Sequence, residues 1–291
     1  MDASTTITLP APAKLNLFLH ITGRRNDGYH QLETLFQFLD VGDRLRFQPR
    51  SDQQIELLDD SGIATDDNLV MKAARLLKHY AEQHQQPITG VSIGLQKVLP
   101  AGGGLGGGSS DAATTLLGLR HLWQLSISDT ELRQLALSLG ADVPIFIYGQ
   151  AAFARGVGEQ FFPASPACPW YLVAKPNDLH IATAELFQHP DLPRQTASID
   201  FADWYFANSH NDFQQLVCQR YPEVAKLLSW LLEYAPARLT GTGACIFGSF
   251  ATEAEARAAH AQLPANCSAF VARGLNQSPV IDALANAAGA S

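Results

Sequence analysis

A glycine-rich stretch in the middle of this sequence is its most informative part. It runs from residue 100 to residue 113 and reads Pro-Ala-Gly-Gly-Gly-Leu-Gly-Gly-Gly-Ser-Ser-Asp-Ala-Ala. Glycine loses more conformational freedom on folding than any other residue, so such a run is expected where the backbone must pass close to another group. Its N–H groups can point into one concavity, and a helix beginning near Ser109 adds the positive end of its dipole. The stretch predicts a phosphate-binding loop. A flexible linker is the alternative, which the flanking strand and capped helix disfavour.

Three familiar nucleotide-binding patterns do not account for this loop. Gly102, Gly104 and Gly107 match the spacing of the dinucleotide fingerprint, but residues 126–131 form a helix cap where the acidic end of a second strand should lie. A Walker A loop ends in Gly-Lys-Ser or Gly-Lys-Thr, whereas this loop ends in Gly-Ser-Ser. The protein-kinase signatures H-R-D and D-F-G do not occur in the sequence. The loop therefore belongs to another lineage of phosphate-binding sites.

Length, composition and charge limit the possible functions. The chain has 291 residues, of which 46% are hydrophobic, so a sizeable core is expected and disorder is excluded as the main state. The net charge of −8 has the wrong sign for binding a nucleic-acid backbone, so we expect no nucleic-acid partner. No secretion signal or long apolar span is visible, and the four cysteines form no Cys-x-x-Cys pair. We therefore expect a cytoplasmic protein with no membrane partner.

The hydrophobic pattern predicts an α+β fold in two domains, with a boundary between residues 162 and 163. The predicted strands and hairpins cover residues 7–19, 32–39, 43–50 with 54–58, 91–98, 145–148 with 151–155, 170–174, 245–250 and 269–271. The predicted helices cover residues 69–80, 109–123, 129–139, 212–219, 223–234 and 253–262. Asn68 and Ser128 are expected to cap the first and third of these helices.

The glycine-rich loop resembles the central motif of the GHMP kinases, the superfamily of galactokinase, homoserine kinase, mevalonate kinase and phosphomevalonate kinase. Four further segments are similar to a branch of that superfamily that phosphorylates a cytidine-diphosphate-linked alcohol. They are Pro12-Ala-Lys-Leu-Asn-Leu-Phe-Leu19, residues 24–30 (Arg-Arg-Asn-Asp-Gly-Tyr-His), Leu139-Gly-Ala-Asp-Val-Pro144 and Leu239-Thr-Gly-Thr-Gly-Ala244. These segments occur along most of the chain, in the order expected of that branch.

The resemblance implies a fold and an activity. It implies an ATP-binding, ribosomal-S5-like domain over residues 1–162 and a substrate-binding, ferredoxin-like α/β sandwich domain over residues 163–291. The activity would be ATP-dependent phosphorylation of the 2-hydroxyl of a diphosphocytidyl methylerythritol in non-mevalonate isoprenoid biosynthesis, with ATP and Mg²⁺. Another GHMP kinase, such as homoserine or mevalonate kinase, is one alternative, and a non-catalytic nucleotide-binding or sensing protein is another. The chain is expected to act as a monomer or homodimer.

Asp142 and Lys14 are the expected catalytic residues. A fixed carboxylate can accept the proton of the acceptor hydroxyl, and a lysine can offset charge on the transferred group. Judged alone, Asp142 is more typical of a turn. A solvent-exposed strand position is the alternative for Lys14, which the two prolines and the apolar run around it disfavour. The resemblance favours the catalytic interpretation for both.

The resemblance also implies two sets of binding residues. The ATP-binding set is Pro100, Ala101, Gly102, Gly103, Gly104, Leu105, Gly106, Gly107, Gly108, Ser109, Ser110, Asn68 and Lys97. The substrate-binding set is Asn16, Tyr29, His30, Thr183, Phe187, Gly241 and Thr242. Tyr29 and Phe187 would enclose a cytosine base, although Phe187 could instead be a core residue. Asn68 could instead cap a helix, and Lys97 could be an exposed strand residue. The magnesium ligands stay open, with Ser110 and Asp111 as candidates.

Overall fold

The computed structural model describes residues 6–26, 28–58 and 64–289, so Asp27 of the 24–30 segment lies outside the described residues. The strands in these ranges are β1 (Ile7–Arg24), β2 (His30–Arg50), β3 (Ile55–Leu58), β4 (Gly90–Gln96), β5 (Ala152–Arg155), β6 (Gln160–Pro163), β7 (Trp170–Pro176), β8 (Ala237–Leu239), β9 (Ile246–Phe250) and β10 (Cys267–Leu275). The α-helices are α1 (Leu69–Gln83), α2 (Gly107–Leu122), α3 (Asp129–Leu137), α4 (Val143–Tyr148), α5 (Thr183–Gln188), α6 (Asp212–Arg220), α7 (Pro222–Leu232), α8 (Glu253–His260) and α9 (Pro279–Gly289). None of the described helices is both long and apolar enough to cross a membrane.

The sheet is organised around the long strand β2. β1 pairs with it in antiparallel register, and β5, β10 and β4 pair with successive parts of β2. β10 continues into an antiparallel group in the order β10-β7-β9-β8. The pairing of Gly274 and Leu275 with Leu39 and Phe38 thus joins the strands of both halves into one sheet. The predicted α+β class is confirmed.

Three hydrophobic clusters hold the layers together. One packs α1, α2 and α4 against the N-terminal strands, and a second packs α6, α7 and α8 against the C-terminal strands. The third lies at the junction, where Leu15 and Leu105 meet Val173 and Phe247. The last helix, α9, returns to the N-terminal cluster through Val280. The domain boundary between residues 162 and 163 stays a prediction.

Two predicted hairpins are wrong. Residues 145–148 lie in helix α4 rather than in a strand, because Pro144 suits its first turn and Gly149, at φ 71°, ends it in the left-handed conformation. Residues 43–50 and 54–58 do not pair with each other. β4 lies between them, antiparallel to β2 and parallel to β3.

Candidate active site

The glycine-rich loop connects β4 to α2 and lines a cavity, which we call the phosphate-loop cavity. Gly102, Gly104 and Gly106 have φ values of +63°, +75° and +72°, a region that other residues rarely adopt. Gly106 occupies the N-cap position of α2, so the first N–H groups of this helix have no intrahelical partner and are available to an anion. The cavity measures about 440 Å³ and is lined by the predicted residues Pro100, Ala101, Gly102, Gly103, Gly104, Leu105, Gly106, Gly107, Gly108, Ser109, Asn68 and Lys97, together with Asp111. Ser110, the remaining predicted residue, is buried in the first turn of α2.

The second glycine turn packs directly on the first. A Cβ atom at Gly104 would lie 2.3 Å from the carbonyl oxygen of Thr240, and one at Gly241 would lie 2.9 Å from the carbonyl oxygen of Gly104. The N–H groups of Ala244 and Cys245 donate to the carbonyl oxygens of Gly102 and Gly103 at 3.2 and 3.1 Å. The two turns therefore form the floor of one cleft, and only glycine permits this close approach.

Asp43 anchors the start of the loop, although nothing in its local sequence marked it. Its carboxylate is fully buried and accepts hydrogen bonds from the N–H groups of Val98 and Leu99 at 2.5 and 2.8 Å. It also accepts one from Lys97 Nζ at 2.5 Å, and the same ammonium lies 2.7 Å from Asp111 Oδ2. Lys97 lies just beyond the end of β4 and forms ion pairs with these carboxylates, while the residue as a whole remains exposed. A contact between Lys97 and a nucleotide stays a prediction.

Burial changes the protonation of this cluster. Removal from water raises the pKa of Asp111 to about 7, since the effect of Lys97 only partly opposes it and Asp43 adds to it. Burial alone would lower the pKa of Lys97, but Asp111 and Asp43 together raise it. The cluster therefore presents a firmly charged ammonium at the edge of the phosphate-loop cavity.

Asn68 has the structural role that was the alternative to nucleotide contact. Its Oδ1 accepts a hydrogen bond from the N–H of Val70 at 2.9 Å and so caps α1. The residue also lines the phosphate-loop cavity. A contact between Asn68 and a nucleotide stays a prediction.

Lys14 and Asp142 meet beside the loop. Lys14 lies on β1 with only 2% of its surface exposed, and its Nζ is 3.2 Å from Asp142 Oδ2. The same ammonium donates to Asn16 Oδ1 at 2.5 Å and to the carbonyl oxygen of Gly104 at 3.1 Å. Asp142 precedes α4 at its N-cap position and remains 38% exposed. The arrangement holds an accessible carboxylate next to a buried ammonium group.

A second cavity, of about 280 Å³, surrounds this pair. The predicted residues that line it are Lys14, Asn16, Gly102, Gly104, Ser109, Asp142, Thr183, Phe187, Gly241 and Thr242. Gly104 and Ser109 line both this cavity and the phosphate-loop cavity, so the two are adjacent. The carboxylate of Asp142 therefore lies in a cavity next to the one that the glycine-rich loop lines.

Hydrogen bonds between distant segments fix the walls of this second cavity. The backbone N–H of Asn16 donates to Thr240 Oγ1 at 2.9 Å, and the hydroxyl groups of Thr183 and Thr242 are 2.8 Å apart. Asn211, which the sequence did not single out, donates from Nδ2 to the carbonyl oxygens of Leu239 and Gly241 at 2.9 and 2.8 Å. Its side chain thus holds the second glycine turn in place.

An aromatic pocket adjoins the second cavity. It measures about 610 Å³, and Tyr29, His30 and Phe187 are among the residues that line it. The residues that it shares with the second cavity are Leu32, Ala141, Val157 and Phe187. The ring centroids of His30 and Phe187 are 5.3 Å apart, and Tyr29 is 65% exposed. Phe187 is therefore only partly a core residue, and its ring is available to a flat ligand.

Comparison with known proteins identifies the family. A protein-family model described as GHMP kinases N terminal domain matches residues 68–150. A second family model, described as GHMP kinases C terminal, matches residues 199–269. A 4-diphosphocytidyl-2-C-methyl-D-erythritol kinase from Pseudoalteromonas atlantica is 54% identical over 95% of this chain and 96% of its own. A protein of the same name from Shewanella loihica is 51% identical over 96% of this chain and 98% of its own. This chain belongs to that family of GHMP kinases.

Solved structures agree with this membership. A crystal structure of 4-(cytidine 5'-diphospho)-2C-methyl-D-erythritol kinase has a TM-score of 0.79 and 32% identity, and covers 92% of this chain and 99% of that one. A mevalonate kinase has a TM-score of 0.65 at 17% identity, covering 94% of this chain and 100% of that one, and so shows the shared fold alone. The chain is a kinase, and the resemblance predicted from its motifs is confirmed.

Proposed function

We propose that this kinase transfers the γ-phosphoryl group of ATP to the 2-hydroxyl of 4-diphosphocytidyl-2-C-methyl-D-erythritol, a step of non-mevalonate isoprenoid biosynthesis. The observation that carries the proposal is the order of three connected cavities. The Lys14–Asp142 pair lies between a phosphate-binding loop on one side and an aromatic pocket on the other. The names of the family's members supply the acceptor, and the aromatic pocket has the flat walls that a nucleobase requires.

The chemistry requires the chain to position two substrates and to accept one proton. The acceptor oxygen attacks the γ-phosphorus, the bond from that phosphorus to the β,γ-bridging oxygen breaks, and Asp142 takes the hydroxyl proton. Lys14 orients Asp142 and offsets charge on the transferred group, while N–H groups of the loop hold the phosphates. Asn16 is close enough to Lys14 to position the erythritol hydroxyls.

The residues beneath the loop fit a magnesium ion. Ser110 Oγ and Asp111 Oδ1 are buried without a hydrogen-bond partner, and both are oxygen ligands of the kind that Mg²⁺ prefers. No group of three or more His, Cys, Asp or Glu suited to a metal occurs in the part of the chain that the structure describes. The triphosphate and water would therefore supply most ligands, and the bound ion would neutralise phosphate charge.

The aromatic pocket would hold the cytidine end of the acceptor. Tyr29 and Phe187 line it and offer faces for stacking, while His30 offers a hydrogen bond to the base edge. Thr183, held by Thr242, would lie near the ribose. We further propose that the kinase works in the cytoplasm as a monomer or homodimer, with no nucleic-acid partner.

The decisive experiment is an acceptor survey with the purified kinase. ATP is supplied with 4-diphosphocytidyl-2-C-methyl-D-erythritol, mevalonate or homoserine, and the product is followed by phosphorus NMR. We expect a new phosphomonoester signal only with the cytidine compound. A signal with mevalonate or homoserine instead would overturn the acceptor, and none with any acceptor would favour a sensing protein.

A further inference from the structure

Arg194 does not line the aromatic pocket, but it donates a hydrogen bond to the imidazole of His30, which does. Its Nε lies 3.3 Å from His30 Nε2. The other guanidinium nitrogens are anchored by the backbone carbonyl oxygens of four residues, at 3.4 Å for Phe187, 2.7 Å for His189, 3.3 Å for Pro190 and 3.2 Å for Leu192. Arg194 is thus held by α5 and by the segment that follows it.

This contact determines where the imidazole carries its proton. A guanidinium has N–H donors and no acceptor, and it keeps its charge in proteins. His30 Nε2 must therefore accept the hydrogen bond through its lone pair. A neutral His30 then carries its proton on Nδ1, the ring nitrogen that Arg194 does not contact.

The surroundings also keep His30 neutral. Burial of the ring lowers the pKa of His30, and the charges of Arg194 and of Arg24 at the end of β1 lower it further. The ring is 7% exposed and lies against Phe187. These effects favour the neutral form of this histidine, and the hydrogen bond from Arg194 favours its Nδ1–H tautomer.

We propose that Arg194 is a positioning residue that sets the preference of the kinase for cytosine over uracil by fixing His30 as an Nδ1–H donor. This rests on the cytidine acceptor of the proposed function. N3 of cytosine is a hydrogen-bond acceptor, whereas N3 of uracil carries a proton. The Nδ1–H donor of His30 can therefore form a hydrogen bond with N3 of cytosine. With uracil it would face the N3–H group, so two donors would meet and this base would be disfavoured.

The first measurement needs no variant. In kinase labelled with ¹⁵N-histidine, the long-range ¹H–¹⁵N spectrum distinguishes a protonated from an unprotonated ring nitrogen. We expect His30, identified by its loss in His30→Gln, to show a protonated Nδ1 and an unprotonated Nε2 at pH 7. A protonated Nε2, or a charged ring, would overturn the proposal even if no variant of Arg194 folded.

The second measurement compares Arg194→Met with the parent. We expect the His30 resonances to move toward a mixture of tautomers, the pKa of His30 to rise, and the kcat/KM preference for the cytidine over the uridine acceptor to fall by about tenfold or more. The KM for ATP should stay unchanged. Arg220→Met is the matched control, because Arg220 faces Glu185 of α5 at 3.9 Å and does not touch His30.

The possible failures are distinguishable. An unchanged tautomer and an unchanged base preference in Arg194→Met would refute the role of Arg194 while leaving the proposed function intact. A parent kinase that phosphorylates neither the cytidine nor the uridine acceptor would refute the proposed function instead. In that case the proposed role of Arg194 in base preference would fail with it, whatever tautomer the spectrum showed.

Discussion

Replacing Asp142 by asparagine isolates proton acceptance from every other role of this side chain. The amide keeps the shape of the carboxylate but is not a base. Its ion pair with Lys14 spans 3.2 Å and joins a buried ammonium to a carboxylate that is 38% exposed, and the amide oxygen of asparagine can still accept a hydrogen bond from that ammonium. Lys14 retains its hydrogen bonds to Asn16 and to the carbonyl oxygen of Gly104. We therefore expect Asp142→Asn to fold normally and to keep Lys14 in place.

The effect on turnover should be much larger than the effect on stability. A positioned general base contributes about 10² to 10⁴ in rate, which corresponds to about 3 to 5 kcal/mol of activation free energy. Asp142 does not line the phosphate-loop cavity, so the affinity for ATP should hardly change. The expected result is a large fall in kcat with an almost unchanged Kd for ATP.

Three measurements on the purified variant check this prediction: kcat from ADP release, ATP affinity from calorimetry, and thermal unfolding. Asp129→Asn is the matched control, since Asp129 also lies at the start of a helix but pairs with Arg120, away from the three cavities. Turnover of Asp142→Asn close to that of the parent would remove Asp142 from the mechanism. A fall in kcat accompanied by unfolding would point to a structural role instead.

Three further predictions concern the loop, the aromatic pocket and the buried acid. Gly106→Val should destabilise the fold by at least about 1 to 2 kcal/mol, because residue 106 has a positive φ. It should also lower kcat and ATP affinity, because the new Cβ would lie 2.9 Å from Phe146 Cζ and 3.1 Å from Lys14 Cε. Thermal unfolding and steady-state kinetics test this. Phe187→Ala should weaken acceptor binding about tenfold by loss of one stack without affecting ATP, as calorimetry with each ligand would show. Asp111 has a pKa of about 7 against an ordinary 3.8, so the native state holds a proton that the unfolded state releases. The unfolding free energy should therefore fall as pH rises through that window, and urea titrations of Asp111→Asn should show a smaller fall.

Local signals were sufficient for the elements that are stabilised locally. The capping box of Ser128 and Glu131 and the side-chain cap of Asn68 lie where the sequence predicted helix starts. The alternation of apolar residues likewise predicted β4. The four-residue run from Ile145 to Tyr148 carried no such information, because a short apolar segment suits a buried strand as well as a buried helix. Tertiary packing made it a helix.

Residues that act across long sequence separations were beyond local prediction. Asp43 binds the N–H groups of Val98 and Leu99, and Arg194 binds His30. Asn211 donates a hydrogen bond to the carbonyl oxygen of Gly241. Each partner lies at least 30 positions away along the chain, and nothing around these three polar residues distinguishes them from exposed ones. Only the fold shows that they support the site.

Gly104 connects the glycine-rich loop to the Lys14–Asp142 pair. Its missing side chain allows Thr240 of the second turn to approach, and its carbonyl oxygen accepts a hydrogen bond from Lys14 Nζ. The same residue lines both the phosphate-loop cavity and the cavity around Asp142. A displacement of the loop at Gly104 must therefore move the ammonium that orients Asp142. In the proposed mechanism, the loop therefore influences the position of the proton acceptor as well as that of the bound phosphate.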